Sequence, residues 1–297
     1  MTEFFQNVVS GLADGAVYAS LALALVLIYR ATHVLNFAQG EMGMFSTFIC
    51  WTLITNHGFS YWPAFLVTLA IAAIGGVAIH RGIVRPLDRL GASELTVVMA
   101  TIALLLILNG LAAWIWGPEE KILQSPFPND TWEIGGVRIS QQHVGVLVVV
   151  LVTFLLLWTF FRFTKLGLAM RASAVNQHAS RLLGVRVSWM LGLGWGLAAI
   201  LSAVSGMMAA SALYVFSPSY MQVVLIYAFA AAVLGGIESP GGAVVGGLAL
   251  GVTITLLGRY VHQIGPDLQL PVALVILLAV LLVRPAGLLG RTVVRRV

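Results

Sequence analysis

Residues 144–161 read VGVLVVVLVTFLLLWTFF, eighteen positions without a single charge. An α-helix rises about 1.5 Å per residue and the hydrocarbon layer of a bilayer is ~30 Å thick, so a run of this kind predicts a crossing helix. Its bounds extend to 143–163. The same signal recurs outward along the chain, over 8–29, 62–80, 95–116, 189–213 and 268–284. Two more stretches, 37–55 and 222–258, are apolar but interrupted by polar residues, glycine and proline.

The composition of the 297 residues agrees. Apolar residues make up 60%, charged residues 9%, and the mean hydropathy is +0.98. An average soluble domain is about 25% charged, so lipid must solvate most of this surface. Disorder, a coiled coil and a disulfide scaffold are excluded by the same figures. The one cysteine, Cys50, permits neither an internal disulfide nor a thiolate metal cage. The expected fold is all-α, a polytopic membrane helix bundle with eight or nine apolar segments, some broken or re-entrant, in a single domain over 1–297. The first segment carries Glu3 and Asp14 and lacks a basic leader, so it is expected to stay in the mature chain.

Basic residues set the expected orientation. Thirteen of the sixteen fall into four groups: Arg30; then Arg81, Arg85 and Arg89; then Arg162, Lys165, Arg171, Arg181 and Arg186; and finally Arg284, Arg291, Arg295 and Arg296. The positive-inside rule places 81–94, 164–188 and the C-terminus in the cytoplasm, with the 117–142 loop extracytoplasmic. A pI near 9.7 therefore reports topology, and no nucleic-acid partner is expected. Within the 117–142 loop, Glu133 to Ile139 predicts a hairpin about Gly135-Gly136. Small residues repeat every fourth position in three ladders: Gly11, Gly15 and Ala19; Ala198, Ser202, Gly206 and Ala210; and Ala243, Gly247 and Gly251. Such spacing predicts close helix packing.

Three stretches carry candidate function. Asn36, Gln39 and Glu41 open a segment whose uninterrupted apolar part is too short to span. A carboxylate at that depth either lines a water-filled path or sits at a helix start favoured by the macrodipole. Gly235-Gly236-Ile237-Glu238-Ser239-Pro240-Gly241-Gly242 divides the 222–258 stretch. It reads either as half-helices meeting at a translocation site or as an ordinary turn between tilted spans. Residues 165–184 form an amphipathic cytoplasmic helix too polar to cross. Leu168, Ala172, Val175, Ala179 and Leu182 lie on one stripe, Arg171, Gln177, His178 and Arg181 lie off it, and Gly184 is the stop. That stripe suits anionic headgroups or the groove of a protein partner.

Absences matter too. No G-x-x-x-x-G-K-[ST] occurs, and neither lysine, Lys121 or Lys165, follows a glycine-rich loop, so the chain carries no cradle for ATP. Scattered histidines give no metal pair, no catalytic constellation stands out, and neither enzymatic activity nor a cofactor is expected. Asn129-Asp130-Thr131 matches a glycosylation sequon by pattern alone.

Taken in order, five stretches resemble the permease subunits of bacterial branched-chain amino-acid ABC importers, in particular the shorter of the two paralogous permeases. They are Asn36-Phe37-Ala38-Gln39-Gly40-Glu41; Arg85-Pro86-Leu87; Gly167-x-x-x-Arg171-Ala172 leading to Leu182-Leu183-Gly184; Ala232-Val233-Leu234-Gly235-Gly236-Ile237 with Gly241-Gly242-Ala243-x-x-Gly246-Gly247; and Arg284-Pro285-x-Gly287-Leu288-Leu289-Gly290-Arg291. This chain departs from the family habit at Gln39, where His is common, at His80, where Glu is common, and at Glu238, where a small residue is common. The family also usually carries an acidic residue near Asn176 and Gln177.

The resemblance implies a multi-pass protein of the bacterial inner membrane. Its implied partners are two ABC ATPase subunits, a homologous permease and an extracytoplasmic solute-binding protein. It makes Asn36, Gln39, Glu41, Gly235, Gly236, Glu238, Gly241 and Gly242 the candidate translocation residues. Gly167, Arg171, Ala172, Val175, Ala179, Leu182, Leu183 and Gly184 become the candidate ATPase-coupling residues. A proton-coupled secondary transporter using Glu41 and Glu238 is the competing expectation.

Overall fold

The structure is a computed structural model that describes residues 2–128, 130–134, 137–261, 263–284 and 286–290. Gly135, Gly136, Pro285, Arg291, Arg295, Arg296 and the sequon's Asn129 lie outside the described residues. Twelve α-helices dominate: α1 (Thr2–Thr32), α2 (Gln39–Thr55), α3 (Tyr61–Ile79), α4 (Arg85–Arg89), α5 (Glu94–Trp116), α6 (Gln141–Phe163), α7 (Lys165–Val175), α8 (Gln177–Leu182), α9 (Val187–Leu213), α10 (Tyr220–Gly235), α11 (Pro240–Tyr260) and α12 (Pro266–Val283). A five-residue π turn, His80–Val84, joins α3 to α4 without a break, so one rod runs from Tyr61 to Arg89.

Among the described residues, six of these rods are long and apolar enough to cross a bilayer, so the eight or nine apolar segments expected are not confirmed as that many full crossings. The difference has a physical origin. α2, α10 and α12 span only 17, 16 and 18 residues. α2 begins inside the bundle at a polar cluster, and α10 stops at a glycine pair.

Short strands cover one end. β1 (Lys121–Ile122) pairs antiparallel with β4 (Val215–Phe216), and β2 (Thr131–Ile134) pairs with β3 (Val137–Ser140) in the expected hairpin. Glu133 stands opposite Arg138 in that register, and the two form an exposed ion pair at 2.9 Å.

The centre of the bundle is α1 against α11. They run antiparallel, and two of the small-residue ladders interlock: Gly11 lies on Gly251 and Val252, Gly15 on Gly247 and Leu248, and Gly247 on Ala19. A Cβ built at Gly251 meets the backbone of Gly15, not a movable side-chain end. The third ladder, on α9, receives α2, with Gly206 against the Gly43 carbonyl. Ser20 Oγ donates to Leu201 O at 3.0 Å and Ser205 Oγ to Val17 O at 2.9 Å, fastening α1 to α9. In both α1 and α9, 78% of the most apolar window is buried inside the chain, against 11% in α6. So α1 and α9 form the interior, and α6 presents Leu155, Leu156 and Trp158 to lipid.

One end of the bundle collects Arg30, the Arg85–Arg89 helix, α7, α8 and the turn between α10 and α11. The other collects the two strand pairs. The seam sets a test. Gly251→Leu should destabilise the purified chain by roughly 1–3 kcal/mol, the usual cost of overpacking, and lower its midpoint of thermal unfolding. Gly241→Ala, with nothing within 4 Å of the added carbon, should leave that midpoint unchanged. Equal midpoints for both variants would remove the seam from the account.

Candidate translocation and coupling sites

α1 ends where His33 turns to φ 57°, and its N–H donates to Tyr29 O at 2.7 Å. From there residues 34–38 climb back into the bundle, tied by Phe37 N–H to Thr101 Oγ1 of α5 at 3.2 Å. α2 then starts wholly enclosed: Asn36, just before it, and Gln39 are 0% exposed and Glu41 is 1% exposed.

The first two are locked to each other and to α9. Asn36 Nδ2 donates to Gln39 Oε1 at 2.6 Å, and Asn36 Oδ1 accepts from Ala38 N–H at 3.1 Å. Gln39 Nε2 donates to Ala198 O at 2.9 Å and to Ser202 Oγ at 2.6 Å. Each polar atom of the Gln39 amide is thus engaged. In a medium where an unpartnered amide costs several kcal/mol, this pair acts as an anchor for the start of a half-length helix.

Glu41 differs. It stands in the first turn of α2, where the unpaired N–H groups favour a carboxylate. Its Oε2 accepts from Asn109 Nδ2 at 3.3 Å, and the same nitrogen donates to Pro218 O at 2.9 Å. Gln222, in the first turn of α10, faces this carboxylate and is itself exposed. Glu41, Asn109 and Gln222 therefore make a polar group beside an open face of α10, which continues with exposed Val223 and Ile226. Asn109 was not singled out from the sequence, although a lone amide inside the apolar 95–116 run is the signal that marks such a position.

The glycine stretch is a helix-to-helix turn. α10 ends at Gly235, Gly236 adopts φ +104°, and α11 starts at Pro240 with Ser239 Oγ accepting from Gly242 N–H at 3.0 Å. Gly235 and Gly242 touch backbone to backbone, so neither tolerates a Cβ. Residues after α12 close the same turn: Leu288 N–H donates to Leu234 O at 2.8 Å and Leu289 N–H to Gly235 O at 3.0 Å, while Gly287 packs on Gly236. Two motifs some fifty residues apart are thereby one structure, which satisfies carbonyls that α10 leaves open. Gly241 and Glu238 are exposed at this turn, Glu238 beside Arg30 and Tyr29 in a cavity of about 410 Å³. The turn and the Asn36–Gln39–Glu41 cluster are not one site. Glu41 neighbours Pro218 before α10, Glu238 follows it, and sixteen helical residues separate them by about 24 Å.

The candidate coupling stretch, 165–184, is two helices, not the continuous one expected. Thr164 caps α7 by accepting Gly167 N–H at 2.9 Å. Asn176 leaves the helix (φ −152°) and caps α8 by accepting Ala179 N–H at 2.9 Å. Asparagine is among the best N-caps, and here its side chain wins over continuation of α7. Gly167 is buried against the Phe160 carbonyl and Phe161. Arg171, Ala172, Val175, Ala179, Leu182 and Leu183 are all exposed, with Val175, Leu182 and Leu183 at 81%, 78% and 83%. Gly184, at φ +80° in open space, ends the pair. Gln177, which lies off the apolar stripe as read from the sequence, is half-buried and donates to Ala31 O at 3.2 Å, tying α8 to the end of α1.

Comparison with known proteins places the chain. Residues 7–283 match the family profile described as "Branched-chain amino acid transport system / permease component". The chain is 31% identical to the high-affinity branched-chain amino acid transport system permease protein BraD of Pseudomonas aeruginosa, over 99% of this chain and 98% of that one. It is 29% identical to LivH of Escherichia coli, which bears the same description, at the same coverage. Fructose import permease protein FruF of Bifidobacterium longum is 26% identical over 84% of this chain and 68% of its own length. The chain belongs to the branched-chain amino-acid transport permease family.

Proposed function

We propose that this protein is the membrane-spanning permease subunit of an ABC importer in the bacterial inner membrane, carrying branched-chain amino acids or a related small solute handed over by an extracytoplasmic binding protein. A homologous permease and two separate ATPase subunits complete the assembly. The observation that carries the proposal is the exposed apolar face of α7 and α8 on a family member whose own sequence has no ATP cradle. Val175, Leu182 and Leu183 project from the end rich in arginine, which the positive-inside rule assigns to the cytoplasm together with the C-terminus. A helix laid in a partner's groove uses a few such anchors.

In this orientation α1 enters from outside and ends inside at Arg30, and the β2–β3 hairpin meets the solute receptor. The translocation path runs beside Glu41, Asn109 and Gln222 at the open face of α10, where the second permease packs. Asn36, Gln39, Gly235, Gly236 and Gly242 hold the elements that border it, while Gly241 and Glu238 face the cytoplasm at the turn. ATP binding and hydrolysis draw α7 and α8 together with their counterparts. Because Gln177 fastens α8 to α1, and α1 is the hub of the bundle, movement at the coupling helices reaches the path as a rigid displacement. The competing proton relay through Glu41 and Glu238 loses support from their separation, which leaves no shared aqueous site for the two carboxylates. The relationship to a permease named for fructose indicates that this scaffold serves unlike solutes, with selection lodged mainly in the receptor.

Two outcomes follow for named variants. Glu41→Gln retains an acceptor for Asn109 and should keep its thermal stability yet lose most solute uptake. Gln39→Leu leaves Asn36 Nδ2 with only the weak Met42 Sδ acceptor at 3.6 Å, removes the Ser202 Oγ bond, and should lower stability by about 1–3 kcal/mol. If Glu41→Gln transports at the parental rate, the path does not pass it. Ala179→Glu, placing a charge on the docking face, should detach the ATPase in a pull-down or abolish solute-stimulated hydrolysis. His178→Gln, exposed but off that stripe, should be silent. Parental coupling in Ala179→Glu would move the ATPase contact elsewhere.

A further inference from the structure

Between the α3–α4 rod and the start of α9 lie two adjoining cavities of about 590 and 410 Å³, which share Arg85, Arg181 and Ser188 in their walls. Arg89 completes the first, Arg81 and Arg186 the second. Five guanidinium groups thus converge on one cleft. A single carboxylate, Asp88, faces it, and none of these groups makes an ion pair within 4.0 Å among the described residues. Arg81 alone has an aromatic partner, with its guanidinium 4.0 Å over the Trp189 ring.

The backbone arranges this convergence. In the π turn the Arg85 N–H bonds back to His80 O, five residues earlier, so positions i and i+5 share a face. His80 and Arg85 therefore line the same cavity, where an uninterrupted α-helix would splay them apart. His80 is 1% exposed, and neither ring nitrogen has a hydrogen-bond partner. Ser188 and Trp189 belong to the first turn of the 27-residue α9, whose positive dipole end borders the cleft; the Val187 and Trp189 N–H groups already donate to Val185 O and Arg186 O, both at 2.9 Å, and Ser188 lines both cavities.

Unpaired cations, a long helix N-terminus and a buried orphan imidazole are mutually unfavourable without an anion, and together they match one. We propose that this cleft binds a phosphate-bearing anion, with Arg85, Arg181 and Ser188 at the positive end of α9 receiving the phosphate and the His80 ring donating to it. Planar guanidinium groups suit phosphate oxygens bidentately, and the cleft has room for more than one phosphate. The occupant bridges α4 to α8, so it clamps a coupling helix against the end of the α3–α4 rod. The cleft thereby becomes a point where a cytoplasmic metabolite or a lipid headgroup adjusts coupling.

The test uses the full-length chain in neutral detergent, with thermal unfolding followed as pyrophosphate is added against sodium chloride of matched ionic strength. The midpoint should rise saturably with pyrophosphate alone. Arg85→Gln combined with Arg181→Gln should raise the half-saturating concentration about tenfold or more, while Arg259→Gln, at the other end of the bundle, should not change it. Ser188→Asp guards against a misfolded double variant: its built-in carboxylate should raise the ligand-free midpoint and abolish the pyrophosphate response. Repeating the titration in phosphatidylglycerol and in phosphatidylcholine bilayers identifies the source. A response lost only in phosphatidylglycerol assigns the site to a headgroup, and one retained in both assigns it to a soluble phosphate. No saturable response above chloride, or one that the arginine substitutions leave intact, overturns the proposal. So does an effect of those substitutions confined to retention of the ATPase subunit, which would give the arginines to a protein partner.

Discussion

Lipid offers apolar side chains nothing to escape from, so helices in it are held by how closely their backbones approach. Here that constraint is met along one seam. Gly11, Gly15 and Ala19 of α1 lie directly on Gly247 and Gly251 of α11, with main chain against main chain. The rest of the bundle is referred to this seam: α9 is fastened to α1 through Ser20 and Ser205, α8 through Gln177, and α2 is in turn seated on α9. Loosening it would release the hub to which every proposed moving part is attached.

The polar interior follows the same economy of unsatisfied groups. Asn36 and Gln39 look like solute contacts when read along the chain, yet their amides are consumed by Ala198 O, Ser202 Oγ and each other. Their effect is to let α2 begin in mid-bundle. Glu41 is held instead by amide side chains, Asn109 at 3.3 Å and the exposed Gln222, at the edge of an open face of α10. That contrast separates scaffold from working surface. On the proposed reading, the working surfaces are the face of α10, the exposed apolar side of α7 and α8, and the arginine cleft.

Much of the fold was legible in the sequence because membrane crossing is dictated by uninterrupted apolar length, which needs no knowledge of neighbours. The 95–116 and 143–163 runs became α5 and α6 within two residues. The small-residue ladders were visible by spacing, but a repeat of four defines a face and says nothing of which helix fills it. The pairing of Gly287–Leu289 with Gly235–Gly236 was hidden for that reason, although both motifs stood out. Residues 165–184 read as one helix because the apolar stripe continues in phase through Asn176; only the cap to Ala179 reveals the break. Asn109 went unremarked because the run around it is otherwise so apolar. The arginine cleft was hidden by the π turn, which changes the residues that share a face and leaves no mark in hydropathy.

The central claim is that this chain moves solute only when driven by nucleotide hydrolysis on separate subunits. Vesicles containing the permease assembly would be supplied with the solute-binding protein, radiolabelled leucine outside and ATP inside, with and without the ATPase subunits. Accumulation should require both ATP and the ATPases, and should persist when a protonophore collapses the proton gradient. Uptake by vesicles lacking the ATPases, rising with an imposed proton gradient and abolished by the protonophore, would contradict it.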